Sequence, residues 1–336
     1  MPNNMMSAED FAGILNTGGG SVAARLMSSG FNASSLRTLD LLRKDEWEVF
    51  DEVLIEVARQ RLVAAGDLIS RGLTFNIPEA LGRMVLTWEE MSGMEPAVRS
   101  MEGITRGRSD RQSFRSNSIP LYITHEDFWI SLRTLMASRK LGEPLDTTQI
   151  TEATIQVTES IEDAVFNGAG LTVGGNTVEG YTTHGNRNTG NFEATGDAWD
   201  AAGKTGEQIL DDVSSMIAAA HVDLMFGPYV MYVPTAYWVP LIKDFKANSD
   251  KTVLSRLLEI PTLESIKVAD KLGADNVLLI QMTRNVVDLV VGEEPQNVQW
   301  ETDGGFLINF KVLAIMLPRI KKDHEDRSGI VHFTKN

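Results

Sequence analysis

The sequence predicts an α+β fold, and three observations carry that prediction. A single amphipathic pattern runs unbroken over residues 145–170. The last quarter of the chain, from residue 277 onward, is dense in Val, Ile and Leu runs separated by turn residues. Helical and extended stretches otherwise follow one another without the strand-helix-strand alternation that a doubly wound parallel sheet requires. With 336 residues, 43% of them hydrophobic, the chain can fill one large core or two ordinary ones.

The long helix organises the rest. In LDTTQITEATIQVTESIEDAVFNGAG (145–170), Asp146 followed by Gln149 is a capping-box pair, and Asn167-Gly168 supplies the left-handed residue that closes a helix. The helix so bounded has about six turns and spans roughly 30 Å. Ile150, Ala153, Val157, Ile161, Ala164 and Val165 recur at steps of three and four and form one narrow apolar stripe. Glu152, Glu159, Glu162 and Asp163 are expected to face away from it. Such a helix suits a scaffold rather than a catalytic floor.

Residues 1–43 read as an arm. A short amphipathic stretch precedes the flexible run Thr17-Gly18-Gly19-Gly20-Ser21, and Phe11, Ile14, Leu15, Leu26, Met27 and Phe31 suit docking on another surface. Residues 44–66 read as an amphipathic helix with Trp47, Phe50, Leu54, Val57 and Leu62 on one face, ended by Gly66.

Over residues 67–123 the β-leaning runs 73–77, 84–88 and 118–123 surround a stretch with little apolar periodicity. That stretch holds five arginines, Arg99, Arg106, Arg108, Arg111 and Arg115, against two acids, Glu102 and Asp110. A loop of this length inside a compact domain is uncommon and usually functional or extended.

Beyond the long helix, residues 174–190 are rich in Gly, Asn and Thr and read as turns and short exposed strands. Thr205 and Gln208 form a capping box for a helix over 206–220 with Ile209, Val213, Met216, Ile217 and Ala220 facing inward. A short strand at 230–233 leads to Pro234, well placed at a helix start, and the helix after it is expected to bury Tyr237, Trp238, Leu241 and Phe245. Residues 254–258 can form a further helical turn. Strands are predicted at 277–282, 286–291, 298–301 and 306–316, with turns at Thr283-Arg284-Asn285 and Thr302-Asp303-Gly304-Gly305, and 331–333 closing the sheet.

The order of three segments, THEDFWISLR (124–133), GEPLD (142–146) and IEDAVFNG (161–168), resembles the spine-helix region of encapsulins and phage major capsid proteins of the HK97-like fold. GPYVMYVPTAYWVPL (227–241) is similar to that family's strand-then-helix segment, and the strands over 276–316 resemble its final sheet. The resemblance covers roughly residues 44–334; residues 1–43 have no clear counterpart in the compact encapsulins. It implies a chain divided into an N-terminal arm (1–43), an N-terminal helix (44–66), an extended E-loop (67–123), a peripheral domain containing the spine helix (124–170 and 296–336) and an axial domain (171–295).

Composition excludes several functions. A formal charge of −15, from 46 acidic and 31 basic residues, argues against a dedicated nucleic-acid binder, which needs a concentrated positive face. The absence of cysteine removes disulfides, thiolate nucleophiles, Fe–S clusters and cysteine zinc sites. No apolar run is long enough to span a membrane, and residues 1–20 lack the form of a signal peptide, so the chain is expected to be made in the cytoplasm.

Candidate chemistry fails on its spacing. Gly203-Lys204-Thr205 invites a phosphate-loop reading, but that motif needs a glycine where Ala198 stands; a loop leading into a capped helix explains the same residues. His125, His184, His221, His324 and His332 are scattered, with no pair at the spacing of a helical metal site. No Gly-x-Ser-x-Gly elbow occurs, and the adjacent acids Glu89-Glu90, Asp211-Asp212 and Glu293-Glu294 are expected to be solvated. The sequence therefore offers no enzyme site, cofactor site or metal site.

The resemblance implies a major capsid protein that self-assembles into an icosahedral virion shell around a phage genome, with an encapsulin shell around cargo enzymes as the alternative. Its implied partners are copies of itself in pentamers and hexamers, decoration or scaffolding proteins, a portal, and double-stranded DNA held non-specifically. On that reading the five arginines are subunit-interface residues that meet carboxylates of a neighbouring chain.

Overall fold

The computed structural model of the chain describes residues 53–58, 62–94, 97, 99, 101–102, 111–141, 147–192, 198–246 and 250–335. Residues 53–58 are helical. In chain order there follow α1 (Ala64–Ser70), β1 (Thr74–Asn76), a 3-10 turn (Ala80–Gly82), β2 (Val85–Met91), β3 (Phe114–Pro120), β4 (Thr124–Ser131), α2 (Leu132–Leu141) and α3 (Thr148–Asn167). The next elements are β5 (Thr172–Val173), β6 (Asn176–Thr177), β7 (Asn188–Asn191), α4 (Gly206–Val222), β8 (Tyr229–Val233), α5 (Thr235–Ile242) and α6 (Val253–Leu257). The remainder is β9 (Leu263–Val268), β10 (Asn276–Gln281), β11 (Val287–Thr302), β12 (Leu307–Ile320) and β13 (Ile330–Thr334). The expected α+β mixture is what the chain forms.

The chain divides into two compact units. Of the described residues, one holds 53–57, 125–141, 147–154 and 295–313. In it Phe128 of β4 stacks on the buried Phe310 of β12 at 5.0 Å, while on the strands' polar side Lys311 sits 3.4 Å from Asp127 and 5.7 Å above the Trp300 ring. The cation thus covers an aromatic face and pairs with a carboxylate at once.

The other unit holds residues 58–124, 155–294 and 314–336. Its largest sheet has the order β7-β13-β10-β8-β9, with β10 antiparallel to both β13 and β8, β13 parallel to β7 and β8 parallel to β9. Every residue of β8 is buried, as a central strand requires. Ile209, Val213 and Met216 of α4, Tyr237 and Leu241 of α5 and Leu257 of α6 pack with Met231, Val233, Val277 and Leu279 into one core.

Both edges of β10 are thereby occupied, which explains a departure from the sequence reading. Residues 283–285 do not close a hairpin; they carry the chain into β11, which pairs in parallel with β1, Thr74 opposite Leu289. The strands expected at 286–291 and 298–301 are one continuous strand, β11. A strand does form at the expected 331–333, as β13, but it does not close a sheet with β11 and β12; it lies inside the larger sheet between β10 and β7.

On α3 all six stripe residues are buried, but the buried arc is wider than a stripe and also takes in Thr154, Thr158, Phe166 and Glu162. The two threonines satisfy themselves within the helix, through Ile150 O at 2.7 Å and Ile155 O at 3.0 Å. Gly168 has φ +80° and stands so near Val178 O that a β-carbon would lie 2.6 Å from it, so the predicted glycine closure is sterically enforced. The proposed cap residue Asp146 lies outside the described residues.

Glu162 does not look away. Its carboxylate accepts from Ala64 N at 2.6 Å and from Ala65 N at 3.3 Å, 98 and 97 residues distant, and so caps α1, whose own N-cap residue Val63 offers no side-chain bond. This also corrects the helix expected to end at Gly66: a new helix starts at Ala64 because a remote carboxylate satisfies its first amides, and Gly66 lies inside it. Residues 44–52 of that expected helix lie outside the described residues.

Asp212 is a second correction. It is buried, accepts from Trp199 Nε1 at 3.0 Å and pairs with Lys204 Nζ at 2.8 Å. The Gly203-Lys204-Thr205 loop therefore points its lysine inward, while Thr205 and Gln208 form the predicted reciprocal cap on α4. The helix after Pro234 ends at Ile242, leaving Phe245 beyond it; Tyr237 and Leu241 are buried as expected and Trp238 is half-buried.

Candidate subunit-interface surface

β2 and β3 form a two-stranded antiparallel ribbon, with Val85 opposite Pro120 and Met91 opposite Phe114. Alternation along an antiparallel pair puts Leu86, Trp88 and Glu90 on one face with Ile119, Asn117 and Arg115. Leu86 and Trp88 pack with Ile77, Ile119, Val290, Ile315 and Leu317, so this face roots the ribbon. On the other face Val85, Thr87, Glu89, Met91, Ser116 and Phe114 are exposed, while Ser118 is half-buried and Pro120 buried.

The root is electrostatically fixed as well. Buried Arg319 grips Asp288 through Nε at 2.7 Å and Nη2 at 2.5 Å, and Lys321 reaches the same carboxylate at 2.6 Å. The Arg319 guanidinium also lies 4.2 Å from the Phe75 ring centroid and 5.7 Å from that of Trp88. Ser92 N donates to Ser113 O at 2.9 Å, and Ser113 N returns to Ser92 Oγ at 2.9 Å, which extends the pairing past Met91 and Phe114.

Toward its far end the ribbon exposes large apolar side chains. Met91 and Phe114 are 54% and 64% exposed, Met94 beyond them 65%, and Met84 at the start 84%. Exposed apolar side chains gathered on a rooted hairpin mark a candidate contact surface.

Of the five predicted arginines, Arg99, Arg111 and Arg115 are exposed; Arg106 and Arg108 lie outside the described residues. Arg115 approaches Asp326 only at 4.0 Å with both side chains more than half exposed, a pairing of negligible strength. Its guanidinium is available to a stronger partner. The sequence missed the apolar half of this surface, for which the signal was present in Met84, Met91, Met94 and Phe114 flanking a polar stretch.

Two histidines, His332 and His184, are buried and bonded within the fold. His332 accepts from Arg187 Nε at 3.2 Å on Nδ1 and meets Asn276 Oδ1 at 2.8 Å through Nε2; burial, with Arg187 second, pushes its pKa down to about 4. His184 meets Glu179 at 2.7 Å, and that contact holds the Glu179 carboxyl below its usual range. His324, Glu325 and Asp326 form an exposed turn, built on Asp323 Oδ1 accepting from Glu325 N and Arg327 N. Among the described residues no cluster of three or more His, Asp or Glu side chains is arranged to hold a metal, and no helix is long and apolar enough to cross a membrane.

Residues 32–333 match a family of unknown function, DUF6260. The type 1 encapsulin shell protein EncA of Myxococcus xanthus is 24% identical over 290 residues, which cover 83% of this chain and 90% of that protein. Among solved structures, the virus-like particle from Pyrococcus furiosus superposes with a TM-score of 0.61 at 16% identity, covering 85% of this chain and 98% of the other. The capsid of Myoviridae phage XM1 gives 0.60 at 15% identity, covering 80% and 91%. At these identities the likeness is one of fold, and the fold is the HK97-like one of capsids and encapsulin-related particles.

Proposed function

The chain belongs to DUF6260, a family of unknown function, and from its fold and surfaces we propose that it is the subunit of a self-assembling icosahedral shell, namely a bacteriophage major capsid protein. The observation that carries the reading is the likeness to two particle-forming proteins over nearly the whole of each, 98% and 91% of their lengths. The rooted ribbon with an apolar, arginine-bearing outer end supports it independently, since such a surface gains its stability only against another chain.

In this reading β2 and β3 belong to the E-loop (67–123), α3 is the spine helix of a peripheral domain (124–170 and 296–336), residues 171–295 form the axial domain, and 1–43 are an arm. The subunit is a structural protein rather than an enzyme. Its partners are first of all copies of itself in pentamers and hexamers, then portal and scaffolding or decoration proteins and non-specifically held double-stranded DNA within a virion. Arg99, Arg106, Arg108, Arg111 and Arg115 meet carboxylates of a neighbour, which a chain of net charge −15 offers in abundance.

A second reading is favoured by one finding: the match to EncA covers 90% of an encapsulin shell protein. In that case the shell encloses cargo enzymes. Negative-stain images of the purified protein test the common claim, closed particles being the expected result. The neighbouring genes separate the two readings, with portal and terminase on one side and a cargo enzyme on the other.

A further inference from the structure

Five polar side chains outside the ribbon converge where α1 docks on α3. Glu162, 4% exposed, caps α1 from α3; Asp67, 5% exposed, lies one turn further along α1. Asp67 accepts from Tyr232 OH of β8 at 2.8 Å and pairs with Lys267 of β9. Tyr181, fully buried and stacked against Tyr232 with centroids 6.4 Å apart, has a hydroxyl that meets no hydrogen-bond partner.

The charge count in this pocket of side chains does not balance. Two buried carboxylates face one lysine, and that lysine belongs to Asp67. Among the described residues no cation faces Glu162, and the backbone amides of residues 63–65 serve its charge. A helix N-terminus favours an anion, but burial next to a second carboxylate opposes it more strongly.

We propose that Glu162 is a proton-operated latch: neutral, it holds α1 against α3, and ionised, it loosens that hold. The groups that face it are Asp67 from α1, Tyr181 from the segment after β6, and, through Asp67, Tyr232 and Lys267 from the two sheet strands. Burial first, and Asp67 after it, raise the Glu162 carboxyl to about 7, against the lowering effect of the Ala64, Ala65 and Val63 amides. The sign follows. Glu162 is protonated more readily closed than open, so the latch is fully set below the ordinary carboxyl range near 4.5 and is released as pH rises through about 7. This inference does not rest on shell assembly.

Hydrogen exchange of the amides of residues 64–71 in the intact protein, corrected for intrinsic exchange, tests it. Protection should fall about tenfold per pH unit between pH 5 and 7 and level off above. In Glu162→Gln, which keeps an acceptor but cannot ionise, the profile should be flat, and in Asp67→Asn its midpoint should move to lower pH. If the wild type and Glu162→Gln share one pH profile, or if wild-type protection rises with pH, the latch does not exist. Should Glu162→Gln fail to fold, an unmoved midpoint in Asp67→Asn overturns the proposal equally.

Discussion

Lys204 Nζ lies 2.8 Å from Asp212 Oδ2 with the two side chains 0% and 1% exposed, and Trp199 Nε1 donates to the same carboxylate at 3.0 Å. A buried ion pair contributes little over an apolar pair of the same shape, but breaking it strands a charge. Lys204→Met should therefore destabilise the protein by about 3 to 5 kcal/mol. The double variant Lys204→Met with Asp212→Leu should recover most of that, falling short by about 1 to 3 kcal/mol because the Trp199 N–H is left unbonded. Denaturant titrations of the three proteins check this; a double variant no better than Lys204→Met would show that the pair is not the cause.

On α3 the wider buried arc leaves one clear contrast. Ile161 is fully buried, whereas Glu159 is partly exposed and pairs with Lys271 at 2.7 Å. Ile161→Ala should cost about 2 to 5 kcal/mol through lost burial and a residual cavity, and Glu159→Ala about 0 to 1 kcal/mol. Equal melting temperatures for the two variants would contradict the assignment of the buried face.

His332 gives an acid limb to stability. Burial and Arg187 hold its pKa near 4 in the fold, while an unfolded histidine takes up a proton near 6.5, so its contribution is complete above about 6.5 and is lost as pH falls toward 4. Subtracting the pH profile of His332→Gln from that of the wild type isolates this limb from the opposite slope expected of Glu162. A difference that stays constant between pH 4 and 6.5 would count against it.

The arginines are tested by assembly without nucleic acid. If they meet carboxylates of neighbours, Arg106→Ala with Arg108→Ala should impair formation of empty shells, each exposed pair contributing about 0 to 1 kcal/mol but repeated at every subunit. Normal empty shells with poor genome retention would assign the arginines to packaged nucleic acid instead.

What the sequence made legible was local. The Thr205–Gln208 cap, the Gly168 closure and the six apolar positions of α3 are all set by residues within a few turns of each other, and each is found in place. Glu162 and Asp212 were misread because a charged side chain on a helix gives no local sign that its partner lies inside the fold: for Glu162 the partners are backbone amides 97 and 98 residues away. The handover from β10 to β11 was equally hidden, since it depends on β13 and β8 occupying both edges of β10. For the candidate interface surface, the arginines were visible as a charge anomaly, while the exposed Met91 and Phe114 fall on one face only once β2 and β3 are paired.

The central claim is that this chain builds a closed shell, and the mass distribution of the purified protein by analytical ultracentrifugation tests it most directly. Particles in the megadalton range, with pentamers or hexamers as the smaller species, are the predicted result. A single species at the 37.0 kDa of one chain under every salt and pH condition would contradict the claim.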